Sequence, residues 1–430
     1  MMKVSIKQCK YLEGKIKISG SKNSVLPIMA ISLLTRKKMK LTNVPLISDV
    51  YNMIHLLKYL GVGVKLDYNN NTITLKRKRV RSNLLCQEAT KLRASYYLYP
   101  GMIHHNKKSI VTFPGGCNFS KRPINYHLDI FKKTGVIVNT KENLTFLKKK
   151  LKRAIFDFPT PSVGATINAL LHSVLIKGIT VIKNQPIEPE VQDVINCLNQ
   201  MGADIKTNNK DIIIKGVKKL KKVTYQIMPD RIELGSFLLL ASIIPSNIIL
   251  ANVLEESVTY LDSYLKKLGI HYIYNNNQIM LKTTGKINNI NIQIKPYPAF
   301  PTDLQPILSA VLLSCDQQSI IVDEVYQKRI SHLNEIKKMD GNIEYDKGRI
   351  IINPSCLRGS NVVAHDLRCG FGLIICGCLA KGTTYIDNFE IVNRGYENVI
   401  AKLKALGVQI NEVWLHEYCF YDIIKSKRKW

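Results

Sequence analysis

The sequence predicts an α/β protein of two domains assembled from six repeated α/β units, and three observations carry that prediction. A helical stretch closed by a glycine and followed by a short alternating strand recurs six times, around Gly61, Gly135, Gly202, Gly269, Gly341 and Gly407. These glycines lie about 70 residues apart, beyond the roughly 20–50 residues of a solenoid repeat, so the copies are read as two globules of three units each. The 430 residues, 46% of them hydrophobic, exceed what a single core supports and can fill two.

The elements follow in order. In the first copy, LLKYLGVGVKL, Ile54, Leu57 and Leu60 recur at helical spacing and give one buried stripe. Gly61 is expected to end that helix in the left-handed conformation that a side chain resists, and the glycine of each later copy likewise. The strand after it alternates, and an Asn/Lys/Asp turn leads to a second strand, as in NNNTITLK and NNKDIIIKG. The later copies read IFKKTGVIVN, CLNQMGADIKT, YLKKLGIHYIY, EIKKMDGNIEY and KLKALGVQINE. A strand also precedes the helix in MKLTNV, GITVIKN, NIILANV, SIIVDEV and GTTYIDNF, less clearly in the second copy. The boundary between the globules falls near Asp230 and Arg231, and the cleft between two like domains is where a ligand is expected.

Lys and Arg total 62 against 32 Asp and Glu, a formal charge of +30. Such an excess attracts anions, whether phosphorylated metabolites, nucleic acid or acidic lipid. Lys, Asn and Ile also fill the turns, as in Asn69 to Asn71 and Asn275 to Asn277, so most of the charge reads as compositional habit. Runs such as Lys148 to Lys150 are then solvated faces, and with no RNA-binding aromatics between them nucleic acid is not the expected partner. Ten cysteines include no Cys-x-x-Cys pair, and Cys376 and Cys378 are too close for a zinc knuckle. Most of them read as buried, reduced structural thiols. The N-terminus carries no apolar leader, and the run Phe237 to Ile244 stops at Pro245, too short to span a bilayer. A soluble, cytoplasmic chain without a membrane partner is expected.

Segments that break the repeat are the candidates for chemistry. In Ile18 to Ser24, a small flexible turn sets Lys22 and Asn23 before an apolar helix, Val25 to Leu34. That start suits a phosphate or carboxylate, and equally an ordinary capped helix with an exposed lysine. In FPGGCNFSKRP, two glycines make a mobile loop around Cys117, and Lys121 and Arg122 favour both thiolate and anion, which reads as a reactive thiol. In PTPSVGAT, Ser162, Val163 and Gly164 open another helix, as an anion site or as an N-cap. In PAFPTDLQ, Asp303 stands at a helix start, where a lone carboxylate is more often a cap than a base. Arg329, Arg368 beside Asp366, and Arg394 lie at matching junctions of the repeats. Singly each reads as a salt-bridged surface residue, but with Lys22, Arg93 and Arg122 they outline a basic cleft.

Together these segments resemble the UDP-N-acetylglucosamine 1-carboxyvinyltransferase family of enolpyruvyl transferases over essentially the whole chain. The resemblance is carried by GKIKISGSKNSVLP, KLRAS, FPGGCNFSKRP, PSVGAT, IEPEVQD, PDRIELGSF, PAFPTDLQ, HDLRCG and NRGYENV, above all PGGC with FPTDLQ. Shikimate-pathway transferases share the fold but are not expected to have the cysteine loop. The resemblance implies an inside-out α/β barrel of two domains with three repeats each. Residues 22–229 would form the N-terminal domain with the Cys117 loop, and 1–21 plus 230–430 the C-terminal one. The chain would then cross between domains twice, and the site would lie in the cleft.

The implied reaction moves the enolpyruvyl group of phosphoenolpyruvate to the 3′-hydroxyl of UDP-N-acetylglucosamine and releases phosphate, the first committed step of peptidoglycan precursor synthesis. By resemblance Lys22, Asn23, Arg122, Arg368 and Arg394, with Arg329 nearby, meet the phosphate and carboxylate of phosphoenolpyruvate. Cys117 matches the acid that protonates C3, Asp303 the base for the sugar hydroxyl, and Asp366 an assistant to the proton transfers. Arg93, Arg122, Pro123, Ile124, Asn125, Tyr126, Ser162, Val163, Gly164, Asp303 and Val325 match the nucleotide-sugar contacts. The two substrates are the expected partners, and no metal or cofactor is implied. Asn125 stands where the family usually has aspartate, Thr160 where some members have lysine, and YYLYPGMIHH is unusual after KLRAS. None of these removes a reactive group, so an active enzyme is expected. The competing readings are a nucleic-acid-binding protein on a transferase fold, a catalytically inactive scaffold, and a shikimate-3-phosphate transferase.

Overall fold

The computed structural model describes residues 2–115, 123–208 and 210–413. Six sheets of four strands, all of one topology, organise them. In the first sheet the order is Val223–Gln226, Met39–Thr42, Thr72–Arg77, Val62–Asp67, the first pair parallel and the other two antiparallel. The second and third sheets centre on Lys108–Val111 and Ile179–Lys183, and the remaining three on Pro245–Ala251, Ser319–Asp323 and Thr383–Asp387. Lys108–Val111 is the strand that the second copy shows only faintly in sequence.

Each unit also holds a helix that the repeat pattern does not reveal. Lys22–Ala30, Tyr99–His105, Val163–Ser173, Arg231–Ser242, Gln305–Leu312 and Leu367–Leu379 are buried almost throughout. They occupy the interior, and the sheets lie outside with one apolar face turned in. In the fourth sheet Ile248, Leu250, Ile279 and Leu281 point inward, while Ile273 and Met280 stay exposed. The glycine-terminated helices, such as Ser48–Tyr59 and Pro189–Gln200, are amphipathic and half-buried. The buried apolar side chains fall into two clusters. One runs from Val25 to Ile227, and the other combines Val4 to Ile18 with Ile232 to Ile410.

Five of the six repeat glycines, Gly61, Gly135, Gly202, Gly269 and Gly407, have φ between 75° and 96°, the left-handed helix end that their position demands. Gly341 does not. Asp340 takes that conformation instead, with φ 63°, and a Cβ on Gly341 would lie 2.3 Å from the Ile336 side chain. That glycine serves close packing, which corrects the expectation for the fifth copy. The apolar helix expected over Val25 to Leu34 begins at Lys22 and tightens to a 3-10 turn over Ile31–Leu34.

Two sheets exchange strands. Leu12–Lys17 precedes the first unit but pairs with Pro245–Ala251 of the fourth, and Val223–Gln226 precedes the fourth unit but pairs with Met39–Thr42 of the first. The two connections touch where they cross, with Ser21 N donating to Met228 O at 2.7 Å and Asp230 N to Ser19 O at 2.8 Å. The sixth sheet takes its third strand, Lys3–Lys7, from the start of the chain.

A side-chain latch recurs at the end of the central strand. Asn43, Asn184, Asn252 and Asn388 each follow that strand with φ between 52° and 61°. Their amides donate to Ile227 O, Phe158 O, Ile18 O and Ala364 O at 2.6–2.8 Å, each the first carbonyl beyond the parallel edge strand. Asparagine tolerates this backbone because its short polar side chain bonds locally. The second and fifth sheets have Thr112 and Glu324 there, neither with positive φ.

Candidate active site

Helix Lys22–Ala30 is capped by Ser21, whose Oγ accepts from Ser24 N at 3.3 Å. The Lys22 side chain turns to Asp49, with Nζ 2.8 Å from Oδ2. Asp49 is buried in the first turn of Ser48–Tyr59. Arg394, at the end of the 3-10 helix Phe389–Arg394 and on the other core, reaches the same carboxylate, with Nε 2.8 Å from Oδ1 and Nη2 3.4 Å from Oδ2. Burial opposes charge on Asp49, but Lys22 and Arg394 outweigh it and hold the carboxyl below its ordinary value. Two predicted cations from distant parts of the chain thus converge on an acid that sequence reasoning missed. Its only signal was an acidic residue in a helix's first turn, which reads as ordinary dipole compensation. Asn23 is exposed beside Lys22.

Asp303 lies in a 3-10 turn, Thr302–Leu304, just ahead of helix Gln305–Leu312. Arg329 Nη1 is 2.9 Å from Oδ1 and donates to Thr302 O at 2.7 Å, and Arg368 Nη2 is 3.3 Å from Oδ2. The arginine side chains are 5% and 4% exposed against 28% for Asp303, so the cations sit beneath a carboxylate that faces outward. Arg368 also lies over the Tyr396 ring at 5.2 Å, and its Nε and Nη1 have no hydrogen-bond partner among the described residues. Buried donors of that kind suit an incoming anion. Asp366 caps helix Leu367–Leu379, its Oδ1 accepting from Arg368 N at 2.8 Å and Cys369 N at 3.1 Å. It therefore positions Arg368 through the backbone, and its other oxygen is buried without a partner among the described residues.

Asp230 joins these two groups. Its Oδ1 caps Arg231–Ser242 by accepting from Ile232 N and Glu233 N, and its Oδ2 accepts from Lys22 N at 3.1 Å. One carboxylate thus serves two helix starts at the point where the chain crosses between cores. Beside it Arg231 forms a buried two-point pair with Glu190, at 2.9 and 3.3 Å, between the rings of Tyr260 and Tyr297. PDRIELGSF and IEPEVQD meet here, segments that sequence reasoning quoted without assigning a role.

A third group lies on the first core. Arg93, Pro123, Ile124 and Asn125, with Phe113 and Pro114, line a cavity of about 430 Å³. Arg93 lies over the Tyr96 ring at 5.9 Å, and Gly164 packs against the Tyr96 hydroxyl and the His127 ring. Burial, with Arg93 nearby, pushes the His127 imidazole down to about 3, so it is neutral at pH 7. Ser162 caps Val163–Ser173 with Oγ accepting from Ala165 N at 3.4 Å, and Tyr126 packs on Phe158 at 5.3 Å. Val325 lies on the second core, its N–H donating to Asp323 Oδ1 at 2.9 Å. Cys117 and Arg122 fall outside the described residues. The eight described cysteines are free, and Cys197, Cys315, Cys369, Cys376 and Cys378 are buried. Among the described residues no helix is long and apolar enough to cross a membrane.

The profile of the EPSP synthase (3-phosphoshikimate 1-carboxyvinyltransferase) family matches residues 6–403. A UDP-N-acetylglucosamine 1-carboxyvinyltransferase of Halothermothrix orenii is 38% identical over 416 residues, covering 96% of this chain and 100% of the relative. A UDP-N-acetylglucosamine 1-carboxyvinyltransferase 2 of Streptococcus pyogenes is 38% identical over 95% of this chain and 99% of its own. Among solved structures, the enolpyruvyl transferase NikO from Streptomyces tendae superposes with a TM-score of 0.86 at 18% identity, covering 96% of this chain and 99% of that one. EPSP synthase from Acinetobacter baumannii gives 0.77 at 19% identity over 96% and 100%. These likenesses bear out the expected fold class.

Proposed function

The chain belongs to the EPSP synthase family of enolpyruvyl transferases, and on that premise we propose that it transfers the enolpyruvyl group of phosphoenolpyruvate to UDP-N-acetylglucosamine with release of phosphate. The observation that carries the choice of acceptor is the likeness, at 38% identity over nearly the full length, to transferases named for that nucleotide sugar. The reading places the enzyme in the cytoplasm, at the start of peptidoglycan precursor synthesis. It takes 22–229 and 1–21 plus 230–430 as the two domains.

The chemistry distributes over the residues as follows. Phosphoenolpyruvate brings a phosphate and a carboxylate, which need fixed cations whose charge exceeds that of the acids paired with them. Lys22 and Arg394, brought together on Asp49, and Arg368, with buried donors unspent, fit that need. Arg122 and Arg329 complete the set, with Asn23 beside them. Asp303 faces outward on its two arginines and takes the proton of the sugar 3′-hydroxyl as the oxygen attacks C2. Cys117 gives a proton to C3, so the double bond becomes a tetrahedral adduct with no net charge left on carbon. Reversal of this acid–base work then expels phosphate: the Cys117 thiolate takes a proton back from C3, Asp303 returns its proton to the departing phosphate, and the double bond is restored. Arg93, Tyr126, the Ser162–Gly164 helix start and Val325 hold the nucleotide sugar.

Phosphate release from phosphoenolpyruvate, measured with UDP-N-acetylglucosamine and separately with shikimate 3-phosphate, tests the reading. Release is expected with the nucleotide sugar alone, and its absence there would sink the proposal. In the same assay an epoxide such as fosfomycin is expected to inactivate the enzyme by alkylating Cys117. Cys117→Asp should stay active and resist the epoxide, and a variant still inactivated would show that the proton donor is another residue.

A further inference from the structure

We infer that Asp323 is a positioning residue for Asp303, holding it through Thr302 on one side and the Arg329 loop on the other. The inference rests on the assignment of Asp303 as the base. It comes from comparing the six units of this chain with one another. In four of them the asparagine latch ends the central strand, but in the fifth the latch position is Glu324 and a different knot replaces it. The last strand residue is Asp323, 4% exposed, and it accepts three hydrogen bonds. Oδ1 receives Val325 N at 2.9 Å and Tyr326 N at 2.8 Å, and Oδ2 receives Thr302 Oγ1 at 2.7 Å. The same strand position elsewhere holds Thr42, Val111, Lys183, Ala251 and Asp387. Asp387, the other acid, is 38% exposed and pairs with Lys3 at the surface. A buried carboxylate here is therefore particular to the fifth unit.

The knot closes a ring. Asp323 turns the chain at Val325 and Tyr326, and Arg329 N donates to Tyr326 O at 2.9 Å while its guanidinium lies over the Tyr326 ring at 5.3 Å. Arg329 Nη1 then returns to Thr302 O and Asp303 Oδ1. Thr302 is thus held by its hydroxyl from Asp323 and by its carbonyl from Arg329. Asp303 is the next residue and projects outward, so packing alone cannot fix it. A reacting group displaced by about 1 Å can lose on the order of 100-fold in rate, which makes such a ring consequential.

Three variants test the inference. Asp323→Ala opens the ring, and Thr302→Val removes only the hydroxyl arm. Asp323→Asn keeps the ring, because its oxygen can accept both backbone N–H groups while its amide donates to Thr302 Oγ1. In phosphate release with UDP-N-acetylglucosamine, kcat is expected to fall roughly 10- to 100-fold in Asp323→Ala. The KM for phosphoenolpyruvate should stay within about threefold, Thr302→Val should reproduce most of the loss, and Asp323→Asn should recover it. Crystal structures without ligand give a readout independent of turnover. The Arg329–Asp303 contact should be lost in the alanine variant and kept in the asparagine one. Retention of that contact in Asp323→Ala, a silent Thr302→Val, or an asparagine variant as impaired as the alanine one would overturn the inference. If the unaltered enzyme releases no phosphate with this substrate pair, the functional reading fails, while the structures still decide the positioning claim.

Discussion

Asp49 illustrates how a buried acid can gather cations from two distant parts of the chain. Taking a carboxylate out of water is costly, and Lys22 and Arg394 offset that cost from two different cores. Its depressed carboxyl contributes stability that is complete above the ordinary aspartate value and fades only as pH falls below it. The buried histidines act earlier on acidification. Burial lowers His127 and His332 to about 3 and His105 to about 4, and it also lowers His104 and His172. Each binds a proton more readily when unfolded, so its stabilising contribution is lost as pH drops below about 6.5. Asp193, raised by burial to about 6, works in the opposite sense, so a single substitution isolates the effect better than the whole profile. His127→Asn should flatten the change in unfolding free energy between pH 7.5 and 5.5 by about 1 kcal/mol, measured by urea titration at both values. An unchanged difference would mean that His127 does not titrate as its burial demands. At this scale the sequence was partly readable. Lys22, Asp303, Arg368 and Arg394 stood out because they interrupt a repeat, but Asp49 and Asp323 did not. Their meaning lies in partners far along the chain, as with Asp49 and Arg394, 345 residues apart.

Among the elements, the amphipathic helices announced themselves by their period, whereas of the central ones Lys22–Ala30, Val163–Ser173 and Gln305–Leu312 were legible only from their starts. Ser48–Tyr59 alternates buried and exposed faces, so its period is visible, whereas Leu367–Leu379 is buried from Leu367 to Cys378 and has no period to read. An inside-out arrangement hides its own core from pattern analysis, because the buried layer is helical and surrounded on every side. The asparagine latches are the complementary case, plain in sequence as MKLTN, GITVIKN, NIILAN and GTTYIDN but meaningless until the edge strands are in place. Asn184 combines a left-handed backbone with a 2.8 Å bond to Phe158 O. Asn184→Ala should therefore cost about 1–2 kcal/mol in thermal or urea unfolding. Asn184→Gly, which relieves the backbone but not the bond, should cost less than the alanine change. Equal losses would assign the whole effect to the hydrogen bond.

At the scale of the molecule, the halves are tied by strand exchange, the Asp230 junction, and the Arg231–Glu190 pair. The count of six units was legible from the glycine repeat, but sheet membership was not. A strand's neighbours are set by topology, and the local sequence of Lys3–Lys7 says nothing about Thr383–Asp387. A chain beginning at Tyr11 should lose cooperative thermal unfolding of the second core, followed by circular dichroism, because the sixth sheet lacks its third strand. A peptide spanning residues 2–10 should restore it in trans. Undiminished cooperativity without the peptide would show that the strand is dispensable.

The same strand sets a timetable for synthesis. Lys3–Lys7 leaves the ribosome roughly 375 residues before Thr383–Asp387, a delay of some tens of seconds at ordinary translation speeds. Through that interval the earliest strand has neither of its sheet neighbours, while Met39–Thr42 awaits Val223–Gln226. The sixth sheet is thus begun first and completed last, and the nascent chain carries that unpaired edge through the synthesis of the other five.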